Sequence, residues 1–432
     1  MTLGATKPAP KAELEAQRNF RWNYALHSIE GGFYMGGIAF VAPNTVLPPM
    51  VESLGGPPWL VALMPIMMTL GFVWPPLFTA HRIEERRRVK PPLLLSGVFQ
   101  RLPYLITGLF LVFLSSRHPT GALVSVALAP FVSGMIGGLT MTAWLELVAK
   151  TIPEHRRSSV WAYRYILSSL VGIGAGWVIA EVLERHPGAV GYGLLHLMAF
   201  ALVAVSYILF AMVRENNPPH PVEEAPPLLE NLRAIPGLIA EDPRLRHYLV
   251  ARALLHGIFI LTPFLSIHAL HVLNRPESYL GRLVTAQMIG GIAGNLVAGF
   301  LGDRRGGKIA MELSGGIFLA IAVWCAFART EWEFLGIMFL FGVGFFANQI
   351  GITTLGIEIS PPRRRATYLA MMATLTMPTM LLASWGSSRL WTWSGESMTS
   401  LAVPTALAMI AAMIFTRWIE EPRGKGETIR PR

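Results

Sequence analysis

The 432-residue chain is 53% hydrophobic and only 14% charged, against about 25% charged in ordinary soluble domains. That imbalance excludes a water-facing globular surface, and a single cysteine, Cys325, excludes an intrachain disulfide or a thiolate metal cluster. A formal charge of +10 would suit nucleic acid in a soluble protein, so the position of the basic residues decides its meaning.

A run of about 18 or more apolar residues crosses a ~30 Å hydrocarbon layer as a helix. Eight runs carry no Asp, Glu, Lys or Arg: 53–80, 118–145, 186–213, 253–274, 283–302, 334–357, 366–388 and 397–416. Four more emerge once one or two internal charges are allowed, at 22–48, 91–116, 160–180 and 309–328, which makes twelve. Ahead of them, residues 1–20 are polar and lack the apolar core and cleavage site of a secretory signal, so they read as a cytoplasmic tail.

Run one contains NYALHSIEGGFY, which places Glu30 about 12 Å inside, with His27 and Tyr34 on the same face at spacings of three and four. An ionisable group at that depth costs about 2.5 kcal/mol or more and is a functional hypothesis by default. Glu30 can couple proton binding to solute binding, or serve as half of a structural salt bridge. Run three carries Arg101, roughly 16 Å deep, too far in to snorkel easily. It is expected to line a central cavity with Glu30 as its counter-charge; a pair that merely locks two helices is the alternative.

Glu146 and Arg164 lie near the ends of runs four and five and read as structural anchors that snorkel to the surface. In run seven Arg252 and His256 share a face, while His268 and His271 sit near its outer end with no third ligand nearby, so no metal site is read. Gln287 in run eight and Asn348 in run ten fall near mid-depth, as cavity lining or as interhelical hydrogen bonds; Asn295 and Gln349 are further polar groups. Trp161, Tyr163, Tyr165, Trp177, Trp391 and Trp393 read as interfacial or packing aromatics. Nothing in the pattern calls for a cofactor.

Between runs six and seven lies a polar segment with seven prolines, which cannot sustain one continuous helix. Residues 214–246 are read as a cytoplasmic linker, with one short amphipathic piece near 228–239, dividing a six-helix bundle at 21–213 from a second at 247–418, before a tail at 419–432. Counting the termini, that linker and the loops after even-numbered runs as one side, 27 of the 36 Lys and Arg fall there, 6 fall opposite, and Arg101, Arg164 and Arg252 lie within runs. The positive-inside rule puts both termini in the cytoplasm of a cytoplasmic-membrane protein. Anionic lipid then accounts for the net charge without nucleic acid.

The two halves repeat one another weakly. Pro153, Arg156 and Arg157 after run four correspond to Pro361, Arg364 and Arg365 after run ten, and FTAHR at 78–82 corresponds to FLGDR at 300–304. The turn between runs eight and nine, GFLGDRRGGK, resembles the loop motif of the major facilitator superfamily through Gly299, Asp303, Arg304, Gly306 or Gly307, and Lys308. The copy in the first half departs from it, with Ala80 and His81 where glycine and aspartate stand in the motif. Helix five supplies Gly172, Gly174 and Gly176 but lacks the Gly-Pro ending of many antiporters in that superfamily.

The resemblance implies an all-α membrane protein of twelve helices in two pseudo-symmetric six-helix bundles. It further implies secondary transport of a small-molecule substrate near the midplane by alternating access, by a monomer in the lipid bilayer, with protons as the candidate coupling ion. Asp303 and Arg304, with Glu358 and the Arg363–Arg365 cluster, then form a switch that pairs in one state and separates in the other; solvated loop charges are the alternative. A membrane-embedded enzyme, or a receptor or scaffold on a transporter fold, are the competing classes. Against an enzyme, the chain has no HExxH, GxSxG, CxxC or GxxxxGK[ST] pattern.

Overall fold

A computed structural model describes residues 10–76, 78–79, 88–215, 237, 239–360 and 365–420. The described residues form helices and turns. The first half comprises α1 (Pro10–Ile38), the short α2 (Leu47–Ser53), α3 (Pro58–Val73), α4 (Lys90–Phe113), α5 (Pro119–Thr151), α6 (Glu154–Arg185) and α7 (Ala189–Ala211). The second comprises α8 (Pro243–Leu255), α9 (Ile258–Leu273), α10 (Leu280–Arg305), α11 (Gly307–Cys325), α12 (Glu331–Ile359), α13 (Arg365–Trp393) and α14 (Met398–Trp418). Ten helical stretches, with α8 and α9 counted as one, are long and apolar enough to cross a membrane. The 16-residue α3 and the polar-ended α1 complete the twelve.

Two spans differ from the apolar runs for identifiable reasons. The first run divides: α1 stops at Ile38, a 3₁₀ turn covers Ala39–Val41, and α2 starts at Leu47 with Pro48 and Pro49 in its first turn. Proline is tolerated there because the first helical N–H groups have no partner within the helix. The seventh span starts ten residues before its apolar run, since the Asp242 side chain accepts from the backbone N–H of Arg244 at 2.8 Å and so caps α8. It then breaks at His256–Gly257, where Phe259 and Ile260 donate to carbonyls three residues back.

Packing follows a pseudo-two-fold pattern. Within the halves, α5 packs on α3 and α4 as α12 packs on α10 and α11, and α4 packs on α7 as α11 does on α14. Between the halves, α6 meets α10 and α3 meets α13, the same contact read in both directions of the symmetry. The α6–α10 crossing is backbone on backbone: a side chain on Gly176 would run into Gly281 and Thr285.

The first described turns of α1, the end of α14 and the α5–α6 and α10–α11 turns share one face, the basic face. Five hydrogen bonds and ion pairs between the halves fall toward the opposite face. Thr45 Oγ1 donates to Gln287 Oε1 at 2.5 Å, Ser278 Oγ to Glu184 at 2.5 Å and Ser384 Oγ to the Ala62 carbonyl at 2.7 Å. The Gly188 N–H donates to Glu277, and His271 lies 3.7 Å from Glu52. Nearer mid-depth, Tyr165 and Phe346 meet edge to face.

Candidate functional site

The densest polar cluster inside the bundle centres on Glu30 of α1, which is 4% exposed. Its Oε1 forms an ion pair with Arg164 Nη1 of α6, and the same Nη1 donates to the His27 carbonyl at 2.6 Å. Ser206 of α7 approaches Oε2 at 3.4 Å. Arg164 was assigned by its position to the surface, yet it is 5% exposed. Gly31 explains this, because the guanidinium occupies the space a Cβ at that position would need. The rings of Trp144 and Trp161 sit 4.9 and 5.5 Å from its Cζ, within cation–π range.

His27 completes the cluster. Its Nε2 lies 3.0 Å from Thr151 Oγ1, whose own hydroxyl donates to the Leu147 carbonyl at 2.7 Å. Nδ1 faces Glu30 Oε1 at 3.9 Å.

Arg101 does not form the ion pair expected with Glu30. Its Nε donates to the Val203 carbonyl and its Nη1 to the Gly97 carbonyl, both at 2.7 Å, and it packs over the rings of Tyr34 and Tyr207. Tyr34 in turn accepts from Gln100 Nε2 at 3.0 Å. His27, Glu30, Tyr34 and Arg101 therefore gather among α1, α4, α6 and α7 in the first half. Gln287 sits apart from them, at the contact between halves. Asn348 lies on α12, its Oδ1 buried without a hydrogen bond among the described residues.

The second half has its own polar set. Arg252 Nη1 approaches Tyr248 Oη at 3.3 Å, Tyr248 donates to the Ile352 carbonyl at 2.8 Å, and His256 Nδ1 meets Thr379 Oγ1 at 2.8 Å beside the break between α8 and α9. Among the described residues no three His, Cys, Asp or Glu side chains are grouped to hold a metal.

In the loop after α10, Gly306 adopts φ +82°, which favours glycine. The Gly307 N–H donates to Glu358 at 3.2 Å, and Arg304 lies over the Phe300 ring at 4.0 Å. Lys308 reaches away from the loop to the carbonyls of Arg417 and Ile419, and Gly299 borders open space. Asp303 is engaged; Arg364 lies outside the described residues, as do the 80–87 turn and most of the proline-rich segment.

Residues 188–384 and again 254–432 match the sequence model of the Major Facilitator Superfamily, together more than half of the chain. The chain belongs to that superfamily. Its fold is that of a solved nucleoside transporter, with TM-score 0.65 at 14% identity over 91% of this chain and 98% of the other. A D-xylose-proton symporter aligns with TM-score 0.66 at 13% identity, over 92% and 99% of the respective chains. Among sequence relatives, a gallate transporter of Pseudomonas putida is 33% identical over 94 residues. A 4-hydroxybenzoate transporter of Acinetobacter baylyi is 34% identical over 96 residues. Each of these matches covers 22% of this chain and 21% of the relative's length.

The major facilitator fold and the apolar spans make the protein an integral, multi-pass membrane protein. Within that fold the residue the sequence signal missed is Arg164. Its clue was the pair of glycines after Glu30, which leave a groove on α1 for a bulky partner.

Proposed function

We propose that this superfamily member is a secondary active carrier, moving a small solute by alternating access with protons as the coupling ion. The observation that carries the reading is the Glu30, His27 and Arg164 cluster, one buried carboxylate shared between a guanidinium and a histidine nitrogen that faces it. A proton taken up there removes the anion that balances Arg164. Leaving one partner of a buried ion pair alone costs about 3–5 kcal/mol. That suffices to shift an equilibrium between two states by more than a hundred-fold unless another anion replaces it.

Arg101 and Arg252 make no ion pair among the described residues, so the intramembrane charge is net positive and suits a solute with an anionic group. The local similarity to gallate and 4-hydroxybenzoate transporters supports the same reading, since both names denote aromatic carboxylates. The halves at 21–213 and 247–418 would act as the moving bodies of a monomer in the cytoplasmic membrane, both termini cytoplasmic, with the contacts between them closing the outer face. Asp303, Arg304 and Glu358 would serve the loop switch.

The test is a thermal-shift screen of purified protein against carboxylates, sugars and nucleosides, followed by uptake into proteoliposomes with an internal pH dye. A ligand that prefers the folded state raises apparent stability. The expected result is stabilisation by a carboxylate and solute-driven proton movement that is lost in Glu30→Gln. Stabilisation by neutral solutes alone would remove the anion reading, and solute uptake without proton movement would remove the coupling.

A further inference from the structure

A groove of about 740 Å³ runs between α1 and α6 near the basic face. Its floor is apolar, formed by Ala25 and Ile29 of α1 with Ile166, Leu167 and Leu170 of α6. At its surface end stand Arg21 and Arg156, and further in Tyr163 meets Tyr24. Neither guanidinium makes a hydrogen bond or ion pair among the described residues, whereas the adjacent Arg157 is committed, donating to the Ile152 and Ala149 carbonyls at 3.1 Å. Among the described residues no carboxylate lines the groove.

The groove looks out of the bundle. On α6 the face that meets the second half carries Tyr165, Gly172 and Gly176. At 100° per residue, Tyr163 and Leu170 lie a third of a turn or more away from that face. On α1 the buried side carries Asn23, His27 and Glu30, and Ile29 points elsewhere. Ile29, Tyr163, Ile166 and Leu170 are 38–56% exposed, the exposure of a surface that meets lipid. From Arg21 to Ile29 the groove follows α1 for about 12 Å inward from the basic end.

We infer that this groove is a binding site for an anionic glycerophospholipid, with the phosphate between Arg21 and Arg156 and an acyl chain along Ile29, Ile166 and Leu170. Charge complementarity selects the occupant: the Arg21 and Arg156 guanidiniums accept a phosphodiester and repel a choline or ethanolamine ammonium. The bound lipid bridges α1 and α6, the two helices that carry Glu30 and Arg164.

The experiment measures phospholipid retained by the purified full chain, by native mass spectrometry, and thermal stabilisation in vesicles of phosphatidylglycerol against vesicles of phosphatidylcholine. The expected result is preferential retention of phosphatidylglycerol. The double variant Arg21→Gln/Arg156→Gln should weaken it roughly thirty-fold, two basic side chains each contributing about five-fold. Arg117→Gln, on the opposite face, should leave it unchanged. Ala25→Trp fills the floor with both charges intact and should also weaken retention, which covers the case where the double variant fails to fold. Undiminished phosphatidylglycerol on the double variant or on Ala25→Trp would overturn the site. So would equal retention of phosphatidylcholine, or an equal thermal shift from inorganic phosphate alone.

Discussion

Glu30 and Arg164 form an ion pair across the α1–α6 contact, inside the membrane and within one half of the protein. Arg101, on α4, stands on neutral carbonyls instead. One cation is thus balanced and one is not, and the two arginines should respond differently to substitution.

For the balanced pair, Arg164→Gln strands Glu30 and should lower stability by about 3–5 kcal/mol. Glu30→Gln/Arg164→Gln removes both charges and should recover most of that loss while still failing to couple protons. Thermal melting in detergent, with pH-gradient uptake beside it, measures both. If the losses of the single variants simply add in the double variant, the two residues do not act as a pair.

Arg101 is held in two directions at once, by the Val203 and Gly97 carbonyls. A lysine ammonium cannot reproduce that planar fork. Arg101→Lys should therefore reduce flux about ten-fold, the worth of one charged hydrogen bond near 1.5 kcal/mol, and Arg101→Ala should abolish it while folded protein remains in the membrane. Uptake at the wild-type rate in Arg101→Ala would show that the residue only ties α4 to α7.

The twelve spans were legible because charge is excluded from hydrocarbon, and the duplicated basic turns pointed to two halves. Partner choice was less legible. Arg101 and Glu30 are each deep, so sequence depth alone joined them, whereas Arg164 lies ten residues into α6 and looked like a surface anchor. Depth along a helix says nothing about rotation about it. The rotation is fixed by Gly31 and by the Trp144 and Trp161 rings, which belong to three different helices. The break at His256–Gly257 was likewise hidden inside an uncharged run, because it changes backbone geometry without changing hydropathy.

The close contact between the halves at Gly176 and Gly281 should make the face opposite the basic one sensitive to a single side chain. Gly176→Leu should wedge α6 from α10 and separate Thr45 from Gln287, favouring the state open on that face. Thiol labelling of cysteines placed at Glu184 and Ser278 in a Cys325→Ala background reports the change, with faster labelling expected in the wedge variant. Equal labelling rates would mean that the crossing adapts without opening.

Two residues flanking the α10–α11 turn, Asp303 and Lys308, should separate by the kind of defect they cause. Lys308 anchors the end of α14, donating to the Arg417 and Ile419 carbonyls at 3.1 and 2.6 Å, and Lys90 holds the Ala211 and Val213 carbonyls at the end of α7 in the same way, both at 2.7 Å. Each lysine begins the third span of its half, so the same structural brace recurs within each bundle. Lys308→Ala and Lys90→Ala should each cost about 1.5–3 kcal/mol, the range for hydrogen bonds from a charged donor, and should leave the rate of exchange between states unchanged. Asp303→Asn should do the reverse, slowing exchange measured by solute counterflow with melting temperature preserved. A change in affinity alone for Asp303→Asn would contradict the switch, because a group that only biases two states of the scaffold has no contact with solute through which to alter binding within either state.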